Sequence, residues 1–175
     1  MKSEKPAKQI VKVTPEQQLA SGWLLFQKAE QYRAVANQAS ANFHDPIDTL
    51  NKTEEWAFIH DPVCNLFGHA VELYIKSYLR AKECPKKLEG ASLGHNLNAL
   101  LEEACDYGAS LRDETRENII ELNEYFSRPY RLRYPSLGKA QLFFPAGLSD
   151  MCDDLRKSLF PSVNERARSL GELRE

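Results

Sequence analysis

The stretch from Val63 to Leu79 constrains the fold more than any other part of the chain. On a helical wheel at about 100° per residue, Val63, Leu66, Phe67, Ala70, Val71, Tyr74, Ile75, Tyr78 and Leu79 fill a wide apolar arc. An arc that broad needs neighbours on several sides, so this segment reads as the central helix of a bundle. The narrow sector that remains carries Asn65, His69, Glu72, Lys76 and Arg80. These residues follow three- and four-residue steps, so their side chains stack along one line. Glu72 and Lys76 form an i,i+4 pair in the favourable order. The plain reading of the stripe is the helix's one solvated seam. The functional reading is a polar groove presenting an imidazole, a carboxylate and two cations. Buried between subunits, the same groups would need mutual pairing.

Around this segment the punctuation of the sequence predicts an all-α bundle of five helices, with no strand alternation. Thr14-Pro15-Glu16-Gln17 has the form of a capped helix start. That first helix should carry Leu19, Trp23, Phe26 and Val35 inward, with a close-packing face of alanines at 29, 34, 36 and 39, and end near Phe43 before His44-Asp45-Pro46. Residues 44–53 form a connector. Trp56 and Phe58 begin the second helical region, and Asp61-Pro62 is either a fresh start or a kink. Pro85 stops the central helix. A third helix starts at His95 or Asn96 and ends near Gly108. A fourth starts near Asp113 and carries Ile119, Ile120, Leu122, Tyr125 and Phe126 up to Pro129. Residues 128–145, rich in proline and aromatic side chains, read as an irregular loop before the last helix. That helix runs from about Ser149 through Leu155 and Leu159, with a break or kink near Pro161. Residues 1–12 read as a loose tail and 13–175 as one helical domain.

Composition narrows the class of partner. The chain has 175 residues with 23 basic and 25 acidic side chains, a formal net charge of -2. This balance argues against a surface built to wrap duplex DNA, while leaving room for a local basic patch. Cys64, Cys84, Cys105 and Cys152 form no C-x-x-C pair, so they read as reduced thiols of a cytoplasmic protein rather than as zinc ligands or staples. No apolar run approaches the roughly 20 residues of a membrane span, and the N-terminus lacks an apolar signal core.

Three short runs resemble the HEPN superfamily of helical domains. Phe67-Gly68-His69-Ala70-Val71-Glu72-Leu73-Tyr74-Ile75-Lys76-Ser77-Tyr78-Leu79-Arg80 is similar to that family's second long helix, where a His, a Glu and a Lys follow in this order. Gly94-His95-Asn96-Leu97-Asn98-Ala99-Leu100-Leu101 resembles the His-polar-Leu start of its next helix. Tyr130-Arg131-Leu132-Arg133-Tyr134-Pro135 is similar to the Arg-Tyr-Pro that follows its fourth helix. The resemblance covers residues 60–135 with the runs in the right order. It implies a bundle of about five helices, often a two-fold homodimer. It also implies a place in prokaryotic toxin–antitoxin, antiphage or stress systems, commonly as a metal-independent RNase. Other members bind nucleotides or serve as assembly modules. Catalytic members carry an Arg a few residues before a His. Here Arg33 is the nearest arginine upstream of His44 and His60, and Arg80 of His95, both too far away; His69 has no Arg close before it. The family's RNase motif is thus absent in its usual form.

The residues leave three readings open. The first is a non-catalytic or atypical module that binds RNA, a nucleotide or a protein partner through Asn65, His69, Glu72, Lys76, Arg80, Tyr130 and Tyr134. Arginines alternating with aromatic rings suit stacked bases, although aromatics beside Pro135 also serve as packing anchors. The second is an RNase in which His69 or His95 accepts the 2′-hydroxyl proton and Arg131 or Arg133 steadies the phosphate. The third is a purely structural dimer or complex subunit. No cofactor is expected: the chain has no glycine-rich phosphate loop. Asp45 and Asp61, each between a His and a Pro, read as turn or cap residues rather than metal ligands. The adjacent carboxylates Glu102-Glu103 and Asp153-Asp154 read as surface groups.

Overall fold

The computed structural model describes residues 15–41, 53–86, 88, 93–127 and 145–173. Five helices occur among them and no strand: α1 (Pro15–Ser40), α2 (Thr53–Ala81), α3 (Leu97–Asp106), α4 (Asp113–Phe126) and α5 (Pro145–Ser169). The expected tail (1–12), the Thr14 cap, the connector and the loop over 128–144 lie outside the described residues, as do the side chains of Trp56, Phe58 and His60.

α2 is the axis of the bundle, and each of the other four helices packs on it. Its wide apolar arc explains this directly: Val63, Phe67, Ala70, Val71, Tyr74, Ile75 and Leu79 are all buried. α1 lies along α2 over the longest contact. There Gly22 sits where an added Cβ would come 3.2 Å from the Ser77 carbonyl, so a side chain would force the two backbones apart. Ala29 and Ala36 are buried on the same face, whereas Ala34 is exposed. α5 closes the other side of this pair. Phe26 meets Tyr74 edge-on at 5.3 Å and Phe160 at 5.1 Å, and Trp23 stacks on Phe26 at 5.9 Å. The shorter α3 and α4 pack on each other and on the C-terminal half of the sheath around α2.

The helix boundaries follow local chemistry. Asn96 caps α3, its side chain accepting from the Ala99 N–H at 3.1 Å. Gly108 stands just beyond the end of α3 with a φ of +87°, a conformation that glycine adopts without a Cβ penalty. Pro62 and Pro161 both sit inside continuous helix, exposed on its outer side. The break expected near Pro161 is therefore absent, and α5 starts at Pro145, before the expected Ser149.

Three expectations of burial need correction. Val35, one of the apolar positions of α1, is 53% exposed, because α1 turns that side away from both α2 and α5. Glu103 is not a surface group: it is buried, pairs with Lys86, and accepts from the Cys84 thiol at 3.6 Å. Asp154 is largely buried as well, against the start of α4. All four cysteines are free thiols, and burial followed by the nearby Asp61 pushes Cys64 up to about 12. No described helix is long and apolar enough to cross a membrane.

Candidate functional site

The polar stripe of α2 is not a solvated seam. Glu72 is 4% exposed and Lys76 6%, and they pair directly, Lys76 Nζ lying 2.6 Å from Glu72 Oε1. The reason is tertiary: α4 and the entry to α3 lie over this side of α2. Two charges removed from water must be paired, and this i,i+4 geometry pairs them within one helix. The burial is within one chain and needs no second subunit.

The second oxygen of Glu72 faces two imidazoles. Nδ1 of His95 lies 2.9 Å from Oε2, and Nδ1 of His69 lies 3.8 Å from the same oxygen. The ring centroids of His69 and His95 are 6.3 Å apart, nearly perpendicular. Both rings reach the surface in part, the His69 side chain at 24% and His95 at 40% exposure. A carboxylate accepting from Nδ1–H selects the tautomer in which Nε2 is the basic nitrogen.

Each ring is held by a different element. Phe126, the last residue of α4, meets His69 edge-on at 5.1 Å and His95 at 6.1 Å. Its ring rests on the α2 backbone at Gly68, where a Cβ would come within 2.3 Å of it. Tyr32 of α1 lies 5.3 Å from His69 on the other side. His95 is fixed through its backbone, its carbonyl accepting from the Ser127 hydroxyl at 2.7 Å. Asn123 Oδ1 accepts from the Leu97 N–H at 2.7 Å and the Asn98 N–H at 3.4 Å, and lies beside the Ser127 hydroxyl as an alternative acceptor for its one proton. One turn of α4, from Asn123 to Ser127, thereby clamps the start of α3 onto α2.

No family model, curated protein or solved structure matches this chain.

Of the residues singled out from the sequence, the structure brings together His69, Glu72, Lys76 and His95. Asn65 lies one turn before His69, its Oδ1 buried without a hydrogen-bonding partner. Arg80 lies one turn beyond Lys76, about 16 Å from His69 along the axis. Tyr130, Arg131, Arg133 and Tyr134 lie outside the described residues, as do His44 and Asp45. No group able to hold a metal occurs among the described residues. Sequence reasoning missed Tyr32, Asn123, Phe126 and Ser127. Gly68 beside His69 was the available signal, since a glycine inside a strong helix marks a close approach.

A second polar region lies elsewhere, between α4 and α5. A groove of about 510 Å³ is lined by Arg112, Thr115 and Asn118 on one side and Asp150, Asp153 and Asp154 on the other. Two of its carboxylates are paired: Arg112 Nε lies 2.9 Å from Asp154 Oδ1 within the groove, and Asp153 pairs with Arg33 of α1. Burial pushes the Asp154 carboxyl up, but the Thr115 hydroxyl and the backbone and guanidinium of Arg112 outweigh it and hold the group below its ordinary range. Asp154 thus acts as an anion at the N-terminus of α4, where Arg112 supplies no side-chain cap of its own.

Proposed function

We propose that the chain is a HEPN-like helical module that binds a phosphate-bearing ligand, an RNA strand or a nucleotide, at the face formed by His69 and His95. The setting implied by the resemblance is a prokaryotic defence, toxin–antitoxin or stress system. The observation that carries the reading is the pair of partly exposed imidazoles gathered around one buried carboxylate. Because Lys76 neutralises Glu72, protonation of either ring gives the site a net positive charge. Imidazolium N–H groups are suitable donors to phosphate oxygens. Tyr32 adds an aromatic wall beside His69 on which a base can stack.

One observation favours a second reading, a metal-independent RNase. The His95 Nδ1 contact with Glu72 holds a ring in the way that a general base is held, with a second imidazole as the partner acid. The two readings separate in one experiment. Purified protein is titrated with labelled single-stranded RNA and assayed for cleavage, alongside His69→Ala and His95→Ala. A binding module gives intact RNA and at least about tenfold weaker binding in both variants, a loss of about 1.4 kcal/mol. Cleavage that disappears in either variant replaces the module with the enzyme. Binding unchanged in both variants removes this face from the function.

A further inference from the structure

The groove between α4 and α5 combines three features that the His69–His95 centre does not use. Its volume of about 510 Å³ is that of a small-molecule pocket. One wall carries a buried polar group left open: Thr115 is 1% exposed, and its Oγ1, although it stands near Asp154, makes no hydrogen bond of ordinary length and angle. A buried hydroxyl in that state carries a desolvation cost that a ligand donor entering the groove removes. Met151, also 1% exposed, adds an apolar surface to the same groove. The third feature is charge. Four carboxylates and two cations line the groove. Arg112 holds Asp154, and Arg33 holds Asp153 from α1. That leaves two carboxylates, Asp150 and Glu114, against the one ammonium of Lys157. Asp154 already meets the positive end of α4, so the helix terminus does not reserve the groove for an anion.

We infer that this groove binds a short aliphatic polyamine, with its ammonium groups at Asp150, Glu114 and the Thr115 hydroxyl and its methylenes against Met151. An ammonium carries three N–H donors and no acceptor, which suits carboxylates and a hydroxyl oxygen with open lone pairs. A metal ion does not suit the same residues, because no group of His, Cys, Asp or Glu able to hold one occurs among the described residues. From Asp150 to Lys157 the α5 wall is about 10 Å long, more than a lone ammonium fills and enough for a chain with an amine at each end. The buried Met151 thioether gives that chain an apolar contact that a bare cation cannot use. Asp150 and Glu114 are exposed, so binding is modest and weakens with salt. Thr115 lies about 16 Å along α4 from Phe126, so the inference is independent of the ligand reading at the His69–His95 face.

Calorimetric titration of the full chain with putrescine, cadaverine and spermidine tests the site, with Mg²⁺ at matched ionic strength as the control for general charge. The chain has two methionines, Met1 and Met151, so ¹³C-methyl methionine spectra report on the groove directly. The expected result is saturable one-site binding of at least one amine, with the Met151 signal shifting and the Met1 signal unmoved. Asp150→Asn alters an exposed side chain, so the fold is retained, and it should weaken binding about threefold to fivefold. Thr115→Val removes the buried acceptor and should weaken binding about tenfold. The proposal is overturned if none of the three amines binds saturably up to about 10 mM. It is overturned equally if Mg²⁺ moves the Met151 signal as far as spermidine does, or if Asp150→Asn leaves the amine affinity unchanged.

Discussion

The bundle joins its helices in two chemically different ways. Between α1, α2 and α5 the centre of the contact is aromatic, with Phe26 set among Trp23, Tyr74 and Phe160, while Glu30 with Tyr74 and Arg156, and Arg33 with Asp153, join the same helices at its edge. Between α2, the start of α3 and α4 the contact is polar, built on Glu72, Lys76, His95, Asn123 and Ser127. Dispersion and burial are non-directional, so the aromatic contact loses stability in proportion to the volume removed. The polar contact depends on each partner being present, because a buried charge or donor left alone carries its full desolvation cost. The difference explains how one small bundle holds two imidazoles in place at its surface: the fixed side of the site is electrostatic and cannot slide.

Substitutions should separate the two regions sharply. The largest effect is expected at Glu72. Glu72→Ala strands the Lys76 ammonium in the interior and should cost about 3–5 kcal/mol in urea denaturation, while Glu72→Ala/Lys76→Met should recover much of that loss. If the double variant is no more stable than the single one, the pair is not the unit that holds this contact. Next comes Gly68→Ala. Helix propensity alone would make it stabilising by about 1 kcal/mol. The Phe126 ring in the path of the new Cβ should instead make it destabilising by about 1–3 kcal/mol, through strain of an overpacked contact. A gain in melting temperature would contradict the close approach.

Phe26→Leu, in the aromatic region, should cost only about 1 kcal/mol, since the remaining side chain stays apolar and close in size. The smallest effect is at the start of α4. Asp154→Asn removes the anion beside that helix terminus and should cost about 0.5–1 kcal/mol at neutral pH. Its pH dependence has a definite sign. The folded carboxyl titrates below its ordinary value of 3.8, so its contribution is complete above that pH and is lost as pH falls through the lower folded value. Asp154→Asn should therefore flatten the acid limb of the stability curve between those two values, and an unaltered limb would show that Asp154 contributes nothing there.

The same contrast explains what was legible in the sequence. The apolar arc of α2 and the stops at Pro85, Gly108 and the start at Asn96 follow from local periodicity and turn chemistry, and each matches an observed element. The stripe from Asn65 to Arg80 was also legible as a line of polar side chains. Its burial was not, because a wheel shows which side of a helix is polar but not what covers it. The cover is α4, whose Phe126 read only as a core residue and whose Asn123 and Ser127 carry no motif. Val35 failed in the opposite direction: an apolar residue in an apolar helix looks like core until the neighbours on each side are counted. Of the break or kink expected near Pro161, the break is absent, because an exposed proline inside a long packed helix is tolerated where the tertiary contacts on either side hold the helix together.

The most direct measurement of the central claim uses the chain's four histidines as internal reporters. Side-chain ¹⁵N spectra recorded during titration with a short single-stranded RNA should show two imidazoles, assigned as His69 and His95 by His→Ala substitution, shifting with saturation. Before ligand, His95 should display the Nδ1–H tautomer, and Glu72→Gln should alter that signature. His44 and His60 should remain unmoved. Shifts confined to His44 or His60, or no shift in any imidazole at saturating RNA, would contradict a ligand site at the His69–His95 face.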